Sequence, residues 1–209
     1  FLNLQKKDMG FNDDNFLDDY EIQELINRFE NQLESGMPLF FDADELNIIL
    51  EHYVQKNDIP KINIIADLAS TYHTTNPLTN LIMAKKYLSV QDASNALPYL
   101  LDETNNTEDA DYQLSLGYCY SLLEEHKRSL SAYKKAIKLL EKENCDDIYN
   151  SMAVEYMLLR DFERALYCFK KGLNASPDIA EQYAEITNCY FFLDKADEAI
   201  EFFQGEVDK

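Results

Sequence analysis

Hydrophobic residues along this chain recur three or four positions apart, which is helical spacing, and not in the strict alternation of a strand. Over the last third of the chain the pattern also repeats at long range. Three pairs of like residues lie 34 positions apart, namely Tyr156 and Tyr190, Ala165 and Ala199, and Phe169 and Phe203. Because one helical pair cannot bury its apolar face alone, this interval predicts antiparallel helix pairs stacked into a solenoid with a groove along it.

Five units fit the same register. They span residues 43–76, 77–109, 110–145, 146–179 and 180–209. The longer third unit implies two extra residues around Asn144 and Cys145. The last unit stops at Lys209, short of a full repeat, which we interpret as a cut inside a longer array.

Residues 1–42 lack the repeat pattern. Apolar residues at helical spacing from about Phe16 to Leu33 predict a capping helix over the first pair, and Phe1–Asp14 is expected to be a flexible or loosely docked lead-in.

Pro98 falls inside a predicted second helix, where it should kink the helix or delay its start. Four aspartates are expected to cap helix N-termini, namely Asp58, Asp92, Asp161 and Asp178. Gly172 and Pro177 are expected to end a helix.

Counted from Asp146, large residues fill positions 4, 11 and 24, small residues fill positions 8, 20 and 27, and a proline lies near position 32. These residues are Tyr149, Tyr156, Phe169, Ala153, Ala165, Gly172 and Pro177. The third unit adds Leu116, Gly117 and Tyr120. The pattern resembles the tetratricopeptide repeat (TPR), although the chain has no Trp and Ile62 stands where a small residue is usual. The resemblance implies an all-α, right-handed solenoid of about five repeats plus an N-terminal capping helix.

In TPR proteins, first-helix positions 2, 5, 9, 12 and 13 line the concave surface, and this property is carried here by resemblance. The candidate groove residues are Asp44, Asn47, Glu51, Leu81, Lys85, Asp111, Leu114, Tyr118, Asp147, Asn150, Val154, Met157, Glu181 and Asn188. A basic clamp for a carboxylate ligand would need several Lys or Arg residues, and only Lys85 is present. We therefore expect a basic or neutral ligand with apolar anchors.

Two alternatives to this interpretation stay open. The acids of the candidate groove are also first-turn residues, namely Asp44, Asp111, Asp147 and Glu181. Without any ligand, each would stabilise its helix by about 0.3–1 kcal/mol through the helix dipole. Phe191 and Phe192 could pack beneath a continuation of the array instead of binding a partner.

Acidic residues outnumber basic ones by 39 to 19, giving a net charge of −20. This excess argues against nucleic acid and anionic membranes as partners. The local basic run of Lys134, Lys135, Lys138 and Lys142, on a second helix that also carries Glu141, is expected to face the convex side. No stretch of the sequence is apolar for long enough to span a membrane.

The sequence offers no recognisable catalytic, metal-binding or cofactor-binding motif. His52, His73 and His126 do not have metal-ligand spacing. Cys119, Cys168 and Cys189 are expected in the core, and Cys145 is the one thiol expected to be exposed in a turn. Reduced cysteines favour a cytoplasmic location.

These observations predict a non-enzymatic protein–protein interaction scaffold. It would bind a basic or neutral, partly apolar peptide or helix in its concave groove. Two other functions stay open at this stage: an export or assembly chaperone that holds an apolar client, and a regulatory segment of a larger enzyme that continues beyond residue 209.

Overall fold

A computed structural model describes residues 19–141, 145–173 and 179–207. These residues form eleven helices and no strand. The helices are α1 (Asp19–Ser35), α2 (Ala43–Gln55), α3 (Ile59–Tyr72), α4 (Pro77–Ser89), α5 (Ala93–Leu100), α6 (Ala110–Leu122), α7 (His126–Leu139), α8 (Asp146–Leu158), α9 (Phe162–Gly172), α10 (Ile179–Phe192) and α11 (Ala196–Val207). The predicted lead-in lies outside the described residues, as do Lys142, Asn144, Pro177 and Asp178.

Helix α1 covers the first helical pair, as expected of a cap. Its apolar face buries Leu25, Ile26 and Phe29. The Phe29 ring lies 5.8 Å from the Phe41 ring and 5.7 Å from the Tyr53 ring, centroid to centroid. Burying a side chain of this size stabilises the fold by about 1.5–3 kcal/mol. The apolar face of α1 therefore holds this helix on the solenoid.

The other ten helices alternate between two faces of an α-solenoid. The first helix of each pair (α2, α4, α6, α8 and α10) packs on its own second helix (α3, α5, α7, α9 and α11), and α4 also contacts both α2 and α6. We call the surface formed by the first helices the first-helix face, and the opposite surface the second-helix face. Three clusters of buried apolar side chains run between the two layers.

One turn geometry joins the two helices of every pair. A residue in the left-handed conformation ends each first helix, at Asn57, Gln91, Glu124, Arg160 and Asp194. In each pair the next residue's N–H donates to the carbonyl of a tyrosine five positions earlier, at Tyr53, Tyr87, Tyr120, Tyr156 and Tyr190, with N···O distances of 2.9–3.1 Å. The left-handed residue itself donates to the carbonyl three positions before it. These two bonds define a Schellman motif, which satisfies carbonyls left free at a helix end.

The second helices begin with side-chain caps where the sequence predicts them. Asp58, Asp92 and Asp161 each accept a bond from the backbone N–H three residues later, at 3.2 Å. Helix α5 begins at Ala93, directly after the Asp92 cap, and contains Pro98. The expectation that Pro98 delays the start of this helix is therefore wrong. The helix is instead short, with eight residues, and the irregular connection 101–109 follows it.

The described cysteines are all buried thiols. This confirms the expectation for Cys119, Cys168 and Cys189, and it corrects the one for Cys145. Cys145 immediately precedes α8 and packs in the core cluster with Ile148, where it is only 2% exposed. Burial raises the pKa of the Cys145 thiol to about 11, so the thiol stays protonated and unreactive at neutral pH.

Candidate protein-binding groove

The N-terminal half of the first-helix face is held together by one buried lysine. Lys85, on α4, is 4% exposed. Its Nζ donates to Asn47 Oδ1 and Glu51 Oε1 of α2, each at 3.1 Å, and to Asp111 Oδ2 of α6 at 2.5 Å. Four predicted groove residues therefore meet at one point, where they bind each other and join three consecutive repeats.

Charge pairing keeps Lys85 protonated despite its burial. Desolvation lowers the pKa of Lys85, but the carboxylates of Asp111 and Glu51 outweigh it and hold the pKa above its usual range. The one cation predicted for the groove is thus neutralised internally. It is not available to hold a ligand carboxylate, which agrees with the absence of a basic clamp.

Three further predicted groove residues serve mainly as packing. Leu81 and Leu114 are 5% and 6% exposed, and Met157 packs against the core with its Sδ 3.4 Å from Cys189 Sγ. Tyr118 is half-buried, and burial raises the pKa of its hydroxyl.

Asn150 links α8 to the two helices that follow it. Its Nδ2 donates to the carbonyl of Gly172 at 3.1 Å, and its Oδ1 accepts from Gln182 Nε2 at 2.6 Å. Both ends of the side-chain amide are thus engaged within the protein. Asn150 is a structural link between repeats and not an amide free to bind a ligand.

A buried carboxylate that the sequence reasoning missed lies between α6, α7 and α8. Glu155 is 1% exposed, accepts from Ser121 Oγ at 2.5 Å, and contacts His126 Nδ1 at 2.8 Å. Burial, followed by the charge of Glu155, raises the pKa of nearby Tyr133. Cys119 and Cys189 occupy the position of Glu155 in the neighbouring units. The periodic pattern therefore did not predict a buried acid at this position.

The C-terminal half of the first-helix face is exposed and apolar. We define the apolar patch as Val154 and Leu158 of α8 with Phe191 and Phe192 of α10, which are 49%, 58%, 79% and 52% exposed. The Phe192 ring stacks on Phe162 at 4.5 Å between centroids, which fixes its orientation. The sequence places all four at groove-lining positions of the repeat, with Val154 among the candidate groove residues and packing beneath a continuation of the array as the alternative for Phe191 and Phe192.

Carboxylates flank the apolar patch at the N-terminal ends of the same helices. Asp147 is half-buried in the first turn of α8, and Glu181 is exposed in the first turn of α10. Burial, together with the neighbouring charge of Asp146, raises the pKa of Asp147. Asn188 is exposed on α10 one turn before Phe192, and Asp44 is exposed on α2 at the other end of the face.

The described residues contain no group of three or more His, Cys, Asp or Glu side chains arranged to hold a metal ion. Within the same residues no helix combines the length and the apolar character needed to cross a membrane. The C-terminal half of the first-helix face presents an acidic edge beside exposed aliphatic and aromatic side chains.

Residues 110–141 match the family model for the tetratricopeptide repeat. No curated protein matches the chain's sequence. Among solved structures, MamA is 20% identical with a TM-score of 0.61, over 81% of this chain and 95% of that one. A thermophilic TPR protein of Thermus thermophilus, TTC0263, is 18% identical with a TM-score of 0.60, over 82% and 92%.

Residues 110–141 are a tetratricopeptide repeat. The sequence match covers one repeat, and the likeness to solved structures extends the TPR-type fold over most of the chain. A further structure with this fold is the anaphase-promoting-complex hetero-tetramer Cut9–Hcn1, at 17% identity and a TM-score of 0.50. This match spans 86% of the present chain and 42% of the solved one. TPR proteins bind other proteins, so a protein-interaction scaffold is the function to which the fold points.

Proposed function

We propose that this TPR protein is a non-enzymatic scaffold that binds a basic, partly apolar peptide or helix of a partner protein on its first-helix face. The apolar patch and its acidic edge, in the two C-terminal repeats, form the contact surface. One neighbour with the same fold is a chain of the Cut9–Hcn1 hetero-tetramer, which supports a role in binding other proteins. The four buried cysteine thiols support a reducing, cytoplasmic environment.

The exposure of the apolar patch carries this proposal. Phe191 alone leaves 79% of its surface in water, and Leu158 lies on the preceding first helix with 58% exposed. Aromatic and aliphatic side chains exposed on consecutive helices of one face are typical of protein-interaction sites. Covering them with a partner would gain about 25 cal/mol per Å² of apolar area.

Electrostatics favours a basic ligand over an acidic one. The raised pKa of Asp147 means that its charged form is poorly compensated in the free protein. A Lys or Arg of the partner would supply the missing opposite charge. The net charge of −20 also steers basic peptides toward the protein.

Fluorescence anisotropy with a labelled amphipathic Leu–Lys helical peptide tests the proposal. We expect saturable binding that weakens about tenfold or more in the double variant Leu158→Ser and Phe191→Ser, because two apolar anchors are lost. The matched control is Tyr72→Ser, which removes an aromatic ring of similar exposure from α3 on the other face. Equal weakening by the control would contradict the assignment of the patch.

Charge reversal tests the acidic edge separately. Asp147→Lys with Glu181→Lys should weaken the same peptide, whereas an isosteric Leu–Glu peptide should gain affinity. Asp111 is left unchanged, since its carboxylate holds Lys85. If the peptide affinity is unchanged, the ligand is not selected by this edge.

A further inference from the structure

The second-helix face carries a concentration of positive charge that the groove does not explain. Helix α7 holds five Lys or Arg residues and no Asp or Glu, in a chain with 39 acids and 19 bases. Helix α9 adds Arg164, Lys170 and Lys171 against one acid, Glu163. Eight of the chain's 19 Lys and Arg residues therefore lie on these two helices.

Several of these cations lack an acidic partner. Arg128, Lys135 and Arg164 pair with Glu125, Glu108 and Asp161 respectively. Across residues 19–141, 145–173 and 179–207, no carboxylate forms an ion pair with the exposed side chains of Lys127, Lys134, Lys138 or Lys171. The ammonium groups of these four lysines are therefore not engaged in an ion pair with a described carboxylate and can pair with an external anion.

These four lysines lie on α7 and α9 together with Arg164, which is exposed although it pairs with Asp161. Lys127, Lys134 and Lys138 are spaced seven and four residues apart, which puts them on one side of α7. Lys134 Nζ lies 5.5 Å from the Tyr156 ring centroid, and Arg164 Cζ lies 5.8 Å from the same centroid, so the α7 and α9 cations flank a single ring. We call Lys127, Lys134, Lys138, Arg164 and Lys171 the basic strip.

An exposed aromatic side chain lies within the basic strip. Tyr167 of α9 is 56% exposed, three residues after Arg164 and four before Lys171, and its ring meets the Tyr149 ring edge-on at 6.5 Å. It offers an apolar contact beside the cations, as protein-binding surfaces commonly do.

We infer that the basic strip binds a short acidic segment of a partner protein. The distance along α7 from Lys127 to Lys138 is about 16 Å at 1.5 Å per residue, which an extended peptide spans with about five residues. Acids bound the strip at both ends of α7, at Glu124 and Glu125 before the helix and at Glu141 after it. A long polyanion such as RNA would run onto these acids, whereas a short acidic peptide ends before reaching them.

This surface is separate from the groove, and it takes a ligand of the opposite charge. The first-helix face is acidic and apolar, and the basic strip lies on the opposite side of the helical layer. The full chain would therefore engage two partners at once, or two segments of one partner, without competition between them.

Anisotropy with a labelled peptide of five or so Asp and Glu residues around one Leu tests the inference on the full chain. We expect saturable binding that weakens about tenfold in the triple variant Lys127→Gln, Lys134→Gln and Lys138→Gln. Raising NaCl from about 50 to 200 mM should weaken it several-fold, because the contacts are exposed charges. A second variant, Lys127→Gln with Lys171→Gln, changes two exposed side chains that form no ion pair within the described residues. It should weaken binding while leaving the unfolding temperature unchanged.

The matched control changes the net charge equally at other sites. Lys56→Gln, Lys86→Gln and Lys195→Gln remove three lysines that lie outside α7 and α9, and binding should stay within about twofold. Equal loss in this control, or no binding by the unaltered chain, would overturn the inference. Tighter binding of a short oligothymidylate through the same lysines would also overturn it, in favour of nucleic acid.

Discussion

At the scale of single residues, Gly172 shows how closely the helices approach. A Cβ atom added at this position would lie 1.8 Å from Asn150 Oδ1 and 2.7 Å from the carbonyl oxygen of Asp146. The absence of a side chain lets α9 end against α8 while Asn150 bonds to both Gly172 and Gln182. Gly205 of α11 is the opposite case, because a Cβ added there meets nothing within 4 Å.

The two glycines make a matched prediction. Gly172→Ala should lower the free energy of unfolding by about 1–3 kcal/mol, because Asn150 must move and lose its hydrogen bonds. Gly205→Ala should raise it by up to about 1 kcal/mol, since alanine is the better helix former. Urea denaturation followed by circular dichroism measures both changes. An unchanged free energy of unfolding in Gly172→Ala would mean that Asn150 moves aside without losing its hydrogen bonds, and would contradict the prediction.

At the scale of helices, Lys85 joins α2, α4 and α6 through three polar partners. Its folded-state pKa lies above the value of an unfolded lysine. The stability it contributes is therefore fully present below the unfolded pKa, including at pH 7, and is lost only as the pH rises through the folded pKa. The first three repeats are thus joined on the first-helix face by an interaction whose contribution to stability does not change with pH near neutrality.

Lys85→Met should destabilise the fold by about 1–3 kcal/mol at pH 7, because it leaves Glu51 and Asp111 facing each other without a cation. The adjacent residue provides the control. Lys86 is more exposed and pairs with the exposed Asp67 at 3.5 Å, so Lys86→Met should change stability by less than about 0.5 kcal/mol. Thermal and urea unfolding of the two variants give the comparison, and similar losses would contradict a special role for Lys85.

At the scale of the whole molecule, the same Schellman turn recurs five times, at intervals of 34, 33, 36 and 34 residues. The residues in the left-handed conformation are not glycines. Asn57 and Asp194 tolerate that conformation, whereas Gln91, Glu124 and Arg160 carry a steric cost of about 1 kcal/mol or more each. Because each repeat contacts only its neighbours, effects at separate turns should add.

Replacing the three strained residues together, Gln91→Gly, Glu124→Gly and Arg160→Gly, should raise the free energy of unfolding by about 1–2 kcal/mol. The gain is less than the summed steric cost, because glycine also loses more entropy on folding. Asn57→Gly, at a residue that already tolerates the conformation, should be nearly neutral. Chemical denaturation of the triple and control variants tests this, and a loss of stability in the triple variant would refute it.

The sequence predicted the helical pairs because their signal is local and periodic: a Tyr at position 11 and small residues where helices touch. It could not predict the left-handed turns, since residues as different as Gln91 and Arg160 adopt them and backbone hydrogen bonds define them. The burial of Lys85 was equally hidden, because its partners come from the repeat before it and the repeat after it. Glu155 breaks the pattern of its position, and its partners Ser121 and His126 are 34 and 29 residues away.

The placement of the basic strip opposite the acidic groove separates charge across the helical layers of these repeats, which contributes an electric dipole in that direction. The net charge of −20 sets how strongly the molecule is drawn to or repelled by a charged body, but the dipole sets which way it turns. Near a negatively charged body, this separation of charge favours the orientation in which α7 and α9 lead and the groove faces away.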